Sequence, residues 1–336
     1  MKRKYLPSRL RPALAFLAIP FFLGSGSLLA EEEDPVRVAA VYQTAIEEPW
    51  VGTIHQAALQ AEEELGIEYE FVEQVSAADF ERVLREYANR GFDLIIGDAF
   101  LAGEEPARRV AADYPEVAFA FGSEFGPAEP NFSVFDNWIH EPAYLMGIVA
   151  GSLTETDVIG AVAAIPINEV NRLVNAYYEG ALSVNPEVDL EVTYIGGWFN
   201  PAAAAEATEA QIEAGADIIF AERFGVFEVA SQNDVLAFGN MTDQHSLAPE
   251  IVVTSALWNM YPTIEYLVRS VDADLFVSQD LKDWSMMAKG GADLAPFYQF
   301  EETLPPEVIA KVEETKESIL DGTFRVPIIE TDPQTD

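Results

Sequence analysis

The sequence contains no cysteine. That absence excludes disulfides, thiolate metal centres, a cysteine nucleophile and a lipid-modified N-terminal cysteine. Histidine is almost as scarce. His55, His140 and His245 are scattered, without metal-ligand spacing. No GxSxG, HExxH, P-loop or GxGxxG occurs. The acidic run AEEELGIEYE lacks the spacing of a calcium loop and reads as a solvated helix face. No catalytic residue, metal or cofactor can therefore be assigned, and the chain reads as a binding protein rather than an enzyme. Basic side chains are also few: 19 Lys and Arg stand against 57 Asp and Glu, for a net charge of −38. Such a surface repels nucleic acid and anionic lipid, so no nucleic-acid partner is expected. It suits a chain that works in high salt, where the charge is screened.

What is present begins with a leader. MKRKYLPSRLR carries five basic groups and no acid, an apolar run PALAFLAIPFFLG follows, and small residues lead to Ala30. This is the layout of a secretory signal. The apolar run is short for a membrane span and holds Pro12 and Pro20. Cleavage is predicted after Ala30, although Leu28 is larger than the residue preferred three places before a cut. An uncleaved anchor is the alternative. With no lipid-anchor cysteine, the exported chain is expected free in the periplasm, as a monomer.

The remainder repeats itself. GFDLIIGDAF from Gly91 matches GADIIFAERF from Gly215, IEYEFV from Ile67 matches LEVTYI from Leu190, and VRVAAVYQ from Val36 matches IGAVAAI from Ile159, at offsets of 124, 123 and 123. Each copy alternates short β-branched runs with stretches whose apolar residues recur at helical spacing. The pattern predicts two α/β domains, each a doubly wound parallel sheet with helices on both faces. Crossovers between them are expected near Asn137–Pro142, Val253–Asn259 and residues 284–296. That gives an N-terminal lobe of residues 36–137 plus 257–285 and a C-terminal lobe of 138–256 plus 286–330, after a leader of 1–30.

Ligands of open parallel sheets sit beyond the carboxyl ends of the strands, and two such ends facing one another form a cleft. The residues that follow the strands are thus the candidate ligand-binding set: Tyr42, Gln43 and Trp50 after the first, Asp98 and Phe100 after the third, then Trp198, Glu222, Phe224, Asn240, Asp243 and Trp258 in the second copy. Aromatic faces suit a flat ring, while carboxylates and amides read its edge. Each aromatic also has a packing reading, and Asp98, Glu222 and Asp243 also suit helix capping. For Trp50, in VYQTAIEEPWVG, the two acids and the proline point to an exposed turn.

EPAYLMGIVAGSLTETDVIGAVAAIPINEVNRLVNAYYEGALSVNP, YIGGWFNPAAAAEA, GADIIF and FGNMTDQHSLAPEIVVTSALWN carry a resemblance to the basic membrane protein family of purine-nucleoside receptors, solute-binding proteins of ABC transporters. It extends over about residues 36 to 325. It implies a type I periplasmic-binding fold with three crossovers, a purine-type ligand enclosed between the lobes, and an ABC permease in the inner membrane as partner. By position, Trp50 matches the family's base-stacking aromatic, Asp243 an acidic site residue, and Phe220–Phe224 a second stacking face. The departures are Pro49 where asparagine is common, Ile139 (with Asp136 nearby) where receptors place an acid on ribose, and Trp258 where a lysine is found. Fewer ribose-reading groups and one more aromatic favour a free nucleobase over a nucleoside. A sensor docking on a chemoreceptor or kinase, and a receptor for a sugar or other small solute, are the alternatives.

Overall fold

The structure, a computed structural model, describes residues 34–100 and 103–333. The leader lies outside the described residues. From Arg37 the chain forms β1 (Arg37–Val41), α1 (Pro49–Leu65), β2 (Glu68–Val72), α2 (Ala77–Asn89), β3 (Leu94–Asp98), α3 (Glu104–Asp113), β4 (Ala118–Gly122) and β5 (Phe132–Phe135). The alternation resumes with α4 (His140–Leu153), β6 (Val158–Ala163), α5 (Asn168–Leu182), β7 (Asp189–Tyr194), α6 (Pro201–Ala214), β8 (Ile218–Ala221), α7 (Phe227–Gln232), β9 (Leu236–Met241) and β10 (Val252–Trp258). It closes with α8 (Tyr261–Asp272), β11 (Ala292–Leu294) and α9 (Pro306–Leu320).

Two sheets result. The first has the order β2-β1-β3-β4-β5, all parallel; the second runs β11-β10-β9-β8-β6-β7, parallel except for the antiparallel β11. The internal repeat is visible in this order, because β7-β6-β8-β9-β10 reproduces β2-β1-β3-β4-β5. Register repeats as well: Val38 lies opposite Tyr69 and Leu94, and Ile159 opposite Leu190 and Ile218. Central strands such as β4 are buried along their whole length, as helices on both faces of a parallel sheet require.

Local sequence sets the helix ends. Glu48 caps α1, its side chain accepting from the Val51 amide at 3.2 Å, with Pro49 in the first turn and Gly66 (φ +71°) ending it. Asn200 and Gly215 (φ +111°) do the same for α6. The four-turn helix α4 is buried nearly all round and meets α5 backbone to backbone. A Cβ on Gly147 would stand 1.9 Å from the Tyr177 carbonyl oxygen, and one on Gly180 2.0 Å from that of Tyr144. Gly147→Ala is therefore expected to force these helices apart and destabilise the fold by about 1–3 kcal/mol. Urea denaturation measures this, and wild-type stability in the variant would contradict the close crossing.

The chain passes between the sheets three times: at residues 136–139 from β5 to α4, at 259–260 from β10 to α8, and at 286–291 on the way to β11. Before the last passage the chain runs alongside β5, with the Val134 amide donating to the Gln279 carbonyl at 2.9 Å and Leu281 donating to Val134 at 2.8 Å. Helix α8 packs on α1, and α9 on α4. Each lobe is thus completed by chain from both halves of the sequence, the arrangement of a type I periplasmic-binding fold.

Candidate ligand-binding site

In each sheet the strand order reverses beside its first strand, between β1 and β3 and between β6 and β8. These are the switch points at which open α/β sheets leave a crevice. The two crevices face each other. Thr44, Glu48, Trp50, Asp98 and Phe100 from the first lobe and Glu169, Trp198 and Arg223 from the second enclose a cavity of about 30 Å³. A second small space adjoins it, lined by Trp198, Glu222, Arg223, Phe224 and Asn240 among others.

Aromatic rings form the walls. Trp50 lies in the opening turn of α1, with Phe100 edge-on at 5.7 Å, Phe135 stacked at 5.9 Å and Trp258 tilted at 5.2 Å. Gly122 at the end of β4 makes room for it: a Cβ there would stand 2.1 Å from the Trp50 Cη2 atom. Phe100 also meets Trp198 of the other lobe, with centroids 6.4 Å apart and planes at 57°. The Arg223 guanidinium lies 5.2 Å from the Trp198 ring centroid, in cation–π range.

Charge is concentrated behind these rings. Arg223 donates from Nε to Glu222 at 2.8 Å, again from Nη2 to the same carboxylate, and reaches Glu48 of the other lobe at 3.5 Å. Glu222 also accepts from the Ala164 amide at 3.0 Å, and Asn240 Nδ2 donates to the Glu222 carbonyl at 3.1 Å. Burial pushes the Glu222 and Glu48 carboxyls up, against the pull of Arg223. Burial alone would lower the Arg223 guanidinium, but Glu222, Glu169 and Glu48 outweigh it and hold it above its ordinary value. Burial likewise lifts Asp98 to about 7, although the Phe100 amide opposes this by donating to Asp98 Oδ1 at 3.0 Å. Glu169 is lifted by burial to about 8 in spite of Arg223. Acids displaced in this way within a cleft make it a candidate functional site.

Among the described residues, three buried polar atoms around these spaces have no hydrogen-bond partner: Thr44 Oγ1, Glu169 Oε1 and Asn240 Oδ1. Unpaired buried polar atoms are costly, and their convergence from both lobes fits a ligand with a polar edge.

The sequence-predicted residues fall into four groups. Trp50, Asp98, Phe100 and Trp198 line the slot, and Glu222, Phe224 and Asn240 line the adjoining space. Asp243, Trp258 and another face of Phe224 line a larger, open groove of about 1080 Å³ beside α1. There Asp243 accepts from the His245 amide at 3.1 Å and from the Tyr298 hydroxyl. Trp258 packs behind Trp50 and donates from Nε1 to Ser285 Oγ at 2.8 Å. Tyr42 is fully buried beneath α1, its hydroxyl 3.0 Å from that of Tyr69, and Gln43 holds the end of β3 by donating to the Asp98 carbonyl at 3.1 Å. The groove is the roomier space; the slot holds the buried charges and lies at both switch points.

One expectation is corrected. The EEPW turn is not exposed: Glu47 faces solvent, but Glu48 is only 5% exposed and Trp50 7%. Glu48 is drawn inward by the α1 amides and Arg223. Residues the sequence reading missed are Thr44, Glu48, Glu169 and Arg223. Arg223 is the second residue past β8, and the strand-end rule that selected its neighbours Glu222 and Phe224 applies to it equally.

Comparison with known proteins now bears on this geometry. Residues 36–289 match the Bmp family, described as ABC transporter substrate-binding protein PnrA-like. The chain belongs to this family. A Haloferax volcanii protein named as an ABC transporter glucose-binding protein is 34% identical over 304 residues, covering 88% of this chain and 75% of its own. A purine-binding protein of Brucella abortus is 29% identical over 311 residues, covering 90% and 85%. The solved solute-binding protein of an ABC transporter system from Conexibacter woesei shares the fold at 24% identity, with a TM-score of 0.70 over 88% of this chain and 100% of that one. This Bmp-family chain is thus a solute-binding protein of an ABC transporter, in a family that binds small molecules for a permease and is not enzymatic.

Proposed function

We propose that the chain captures a purine-type ligand, a free nucleobase in preference to a nucleoside, in the slot between its lobes and presents the closed form to an ABC permease. The observation that carries this reading is the facing pair Phe100 and Trp198, one ring from each lobe, with the unpartnered Thr44 Oγ1 and Glu169 Oε1 beside them. A ring inserted between two aromatic faces needs them about 7 Å apart. Here the planes are tilted at 57° and the space beside them is about 30 Å³, so a base enters only when the lobes part and Trp198 turns toward parallel. Hinge motion at the three crossovers supplies the parting. The ligand then favours closure because both lobes touch it only when closed.

The preference for a base over a nucleoside rests on the positions that would read a ribose. Asp136 is held by Arg172 Nη2 at 2.6 Å and Trp138 Nε1 at 3.2 Å, Ile139 is fully buried, and Trp258 is committed to Ser285. A Brucella relative named as purine-binding adds weight. A sugar is the second reading, favoured by the Haloferax relative named as glucose-binding and by the fact that tryptophan faces and carboxylates suit sugars as well. Isothermal titration with adenine, hypoxanthine, guanine, their nucleosides and glucose decides between them. Bases are expected to bind most tightly. Tighter nucleosides would overturn the base preference, and tighter glucose the purine reading. Mass spectrometry of whatever co-purifies provides an independent check. The protein is further proposed to be exported by its leader and to act as a monomer free of the membrane. A lone gene beside a histidine kinase, without permease genes, would favour a sensor instead.

A further inference from the structure

Glu169 lies in the first turn of α5, only 2% exposed, on the wall of the slot, with Oε1 unpartnered. Its charged neighbours come from every element packed around it. Arg223 and Glu222 stand at the end of β8, Asp136 in the first crossover, and Arg172 one turn further along α5, while Glu48 and Asp98 face it across the slot. Both guanidiniums are already taken. Arg172 binds Asp136 at 2.6 Å and Glu330 at 2.7 Å, and Arg223 binds Glu222 and Glu48. Two arginines thus serve the five buried or enclosed carboxyls Glu48, Asp98, Asp136, Glu169 and Glu222. Among the described residues, Glu169 is the one of these five that shares no ion pair and accepts no amide, so the attraction of Arg223 and Arg172 offsets the burial of an ionised form only in part.

We propose that Glu169 acts as a neutral carboxylic acid whose hydroxyl and carbonyl pair with a donor–acceptor edge of the ligand, so that capture requires its proton to be in place. This rests on the reading of the slot as the ligand site. A protonated carboxyl offers one donor beside one acceptor, whereas a carboxylate only accepts. The neutral form therefore matches an edge on which an N–H stands next to a bare ring nitrogen or carbonyl, as on a nucleobase, and the ionised form cannot complete both bonds. Asp98, lifted by burial to about 7, differs in that one of its oxygens already accepts from the Phe100 amide, which opposes that lift.

The sign follows from the direction of the shift. Burial raises the carboxyl to about 8, so the binding form is populated below that pH and drains away above it. Apparent affinity scales with the competent fraction. Titration of the full chain with adenine from pH 5.5 to 9.5 is thus expected to show a flat profile to about pH 7 and a fall approaching tenfold per pH unit above about 8. In E169Q, whose amide keeps one donor and one acceptor, the slope is expected to vanish. E169A is expected to bind about tenfold or more weakly than wild type, and more weakly than E169Q. The slope persists in D98N. A slope that survives in E169Q, affinity that rises with pH, or an E169Q as weak as E169A overturns the proposal.

A second measurement separates this from the identity of the ligand. Carbon-13 NMR of glutamate carboxyls in the ligand-free protein, with E169Q to assign the signal, is expected to show Glu169 titrating between pH 7 and 9. A Glu169 signal that changes near pH 4 overturns the neutral acid whatever the ligand. If no base binds to wild type, the purine reading falls and the NMR titration alone decides the state of Glu169.

Discussion

Arg223→Met is expected to destabilise the folded chain by about 3–5 kcal/mol at neutral pH, the cost of removing one partner from a buried ionic cluster. Methionine fills most of the space, so the loss is electrostatic. Without the guanidinium, Glu222, which Arg223 clasps with two hydrogen bonds, and Glu48, 3.5 Å away across the slot, have no cationic partner. The pH dependence identifies the cause. Carboxyls whose folded-state values are raised stabilise the fold while protonated, and that contribution is lost as pH rises through the folded value. Burial already raises Glu48, Glu169 and Glu222 with Arg223 present, although its attraction lowers each of them. Removing it raises them further. The defect should therefore be smallest near pH 5 and grow steadily to pH 9. Urea denaturation at pH 5, 7 and 9 tests this, and a defect of equal size at all three would mean that shape rather than charge sets the loss. Salt gives a second contrast. The cluster is enclosed and poorly screened, so molar salt should leave the Arg223→Met defect in place while it relieves repulsion among the exposed acids.

The architecture was legible because it is written twice. Three matching stretches at nearly constant offset predict two sheets of one topology, and β2-β1-β3-β4-β5 against β7-β6-β8-β9-β10 is that result. The strand-end rule also reached Trp50, Asp98, Phe100 and Trp198, which share one cavity, since in a parallel sheet the direction of the chain fixes which end faces the cleft. What remained hidden depends on partners far away in sequence. Glu48 reads locally as one of two acids in an exposed turn, but its second partner is 175 residues on. Glu169 reads as a first-turn helix acid, which would be solvated on most helices, and only the approach of the other lobe encloses it. Trp258 ends its strand as the rule requires, yet Ser285, just before the third crossover, meets its indole nitrogen and Trp50 of α1 meets its face, so most of its surface is spent on packing.

Trp50→Ala is expected to weaken both folding and binding, and the two losses can be told apart. The indole contacts Phe135, Trp258 and Phe100 and fills the recess above Gly122, so its removal opens a cavity in the core and costs about 3–5 kcal/mol of stability. Its exposed edge completes the slot, and loss of an aromatic surface against a base costs on the order of 1–3 kcal/mol of affinity. Trp50→Phe should recover part of both, because a smaller ring still faces Phe135 and the slot. Gly122→Ala separates them from the other side: it keeps the indole but drives a methyl into Cη2, displacing the ring toward the slot without emptying the core. That variant should lose affinity by more than it loses stability, the reverse of what a purely structural tryptophan would give. Urea denaturation and isothermal titration on the three variants measure the two quantities independently. If Trp50→Ala unfolds earlier but its folded form binds as well as wild type, the indole is a packing residue alone and the stacking wall falls to Phe100 and Trp198.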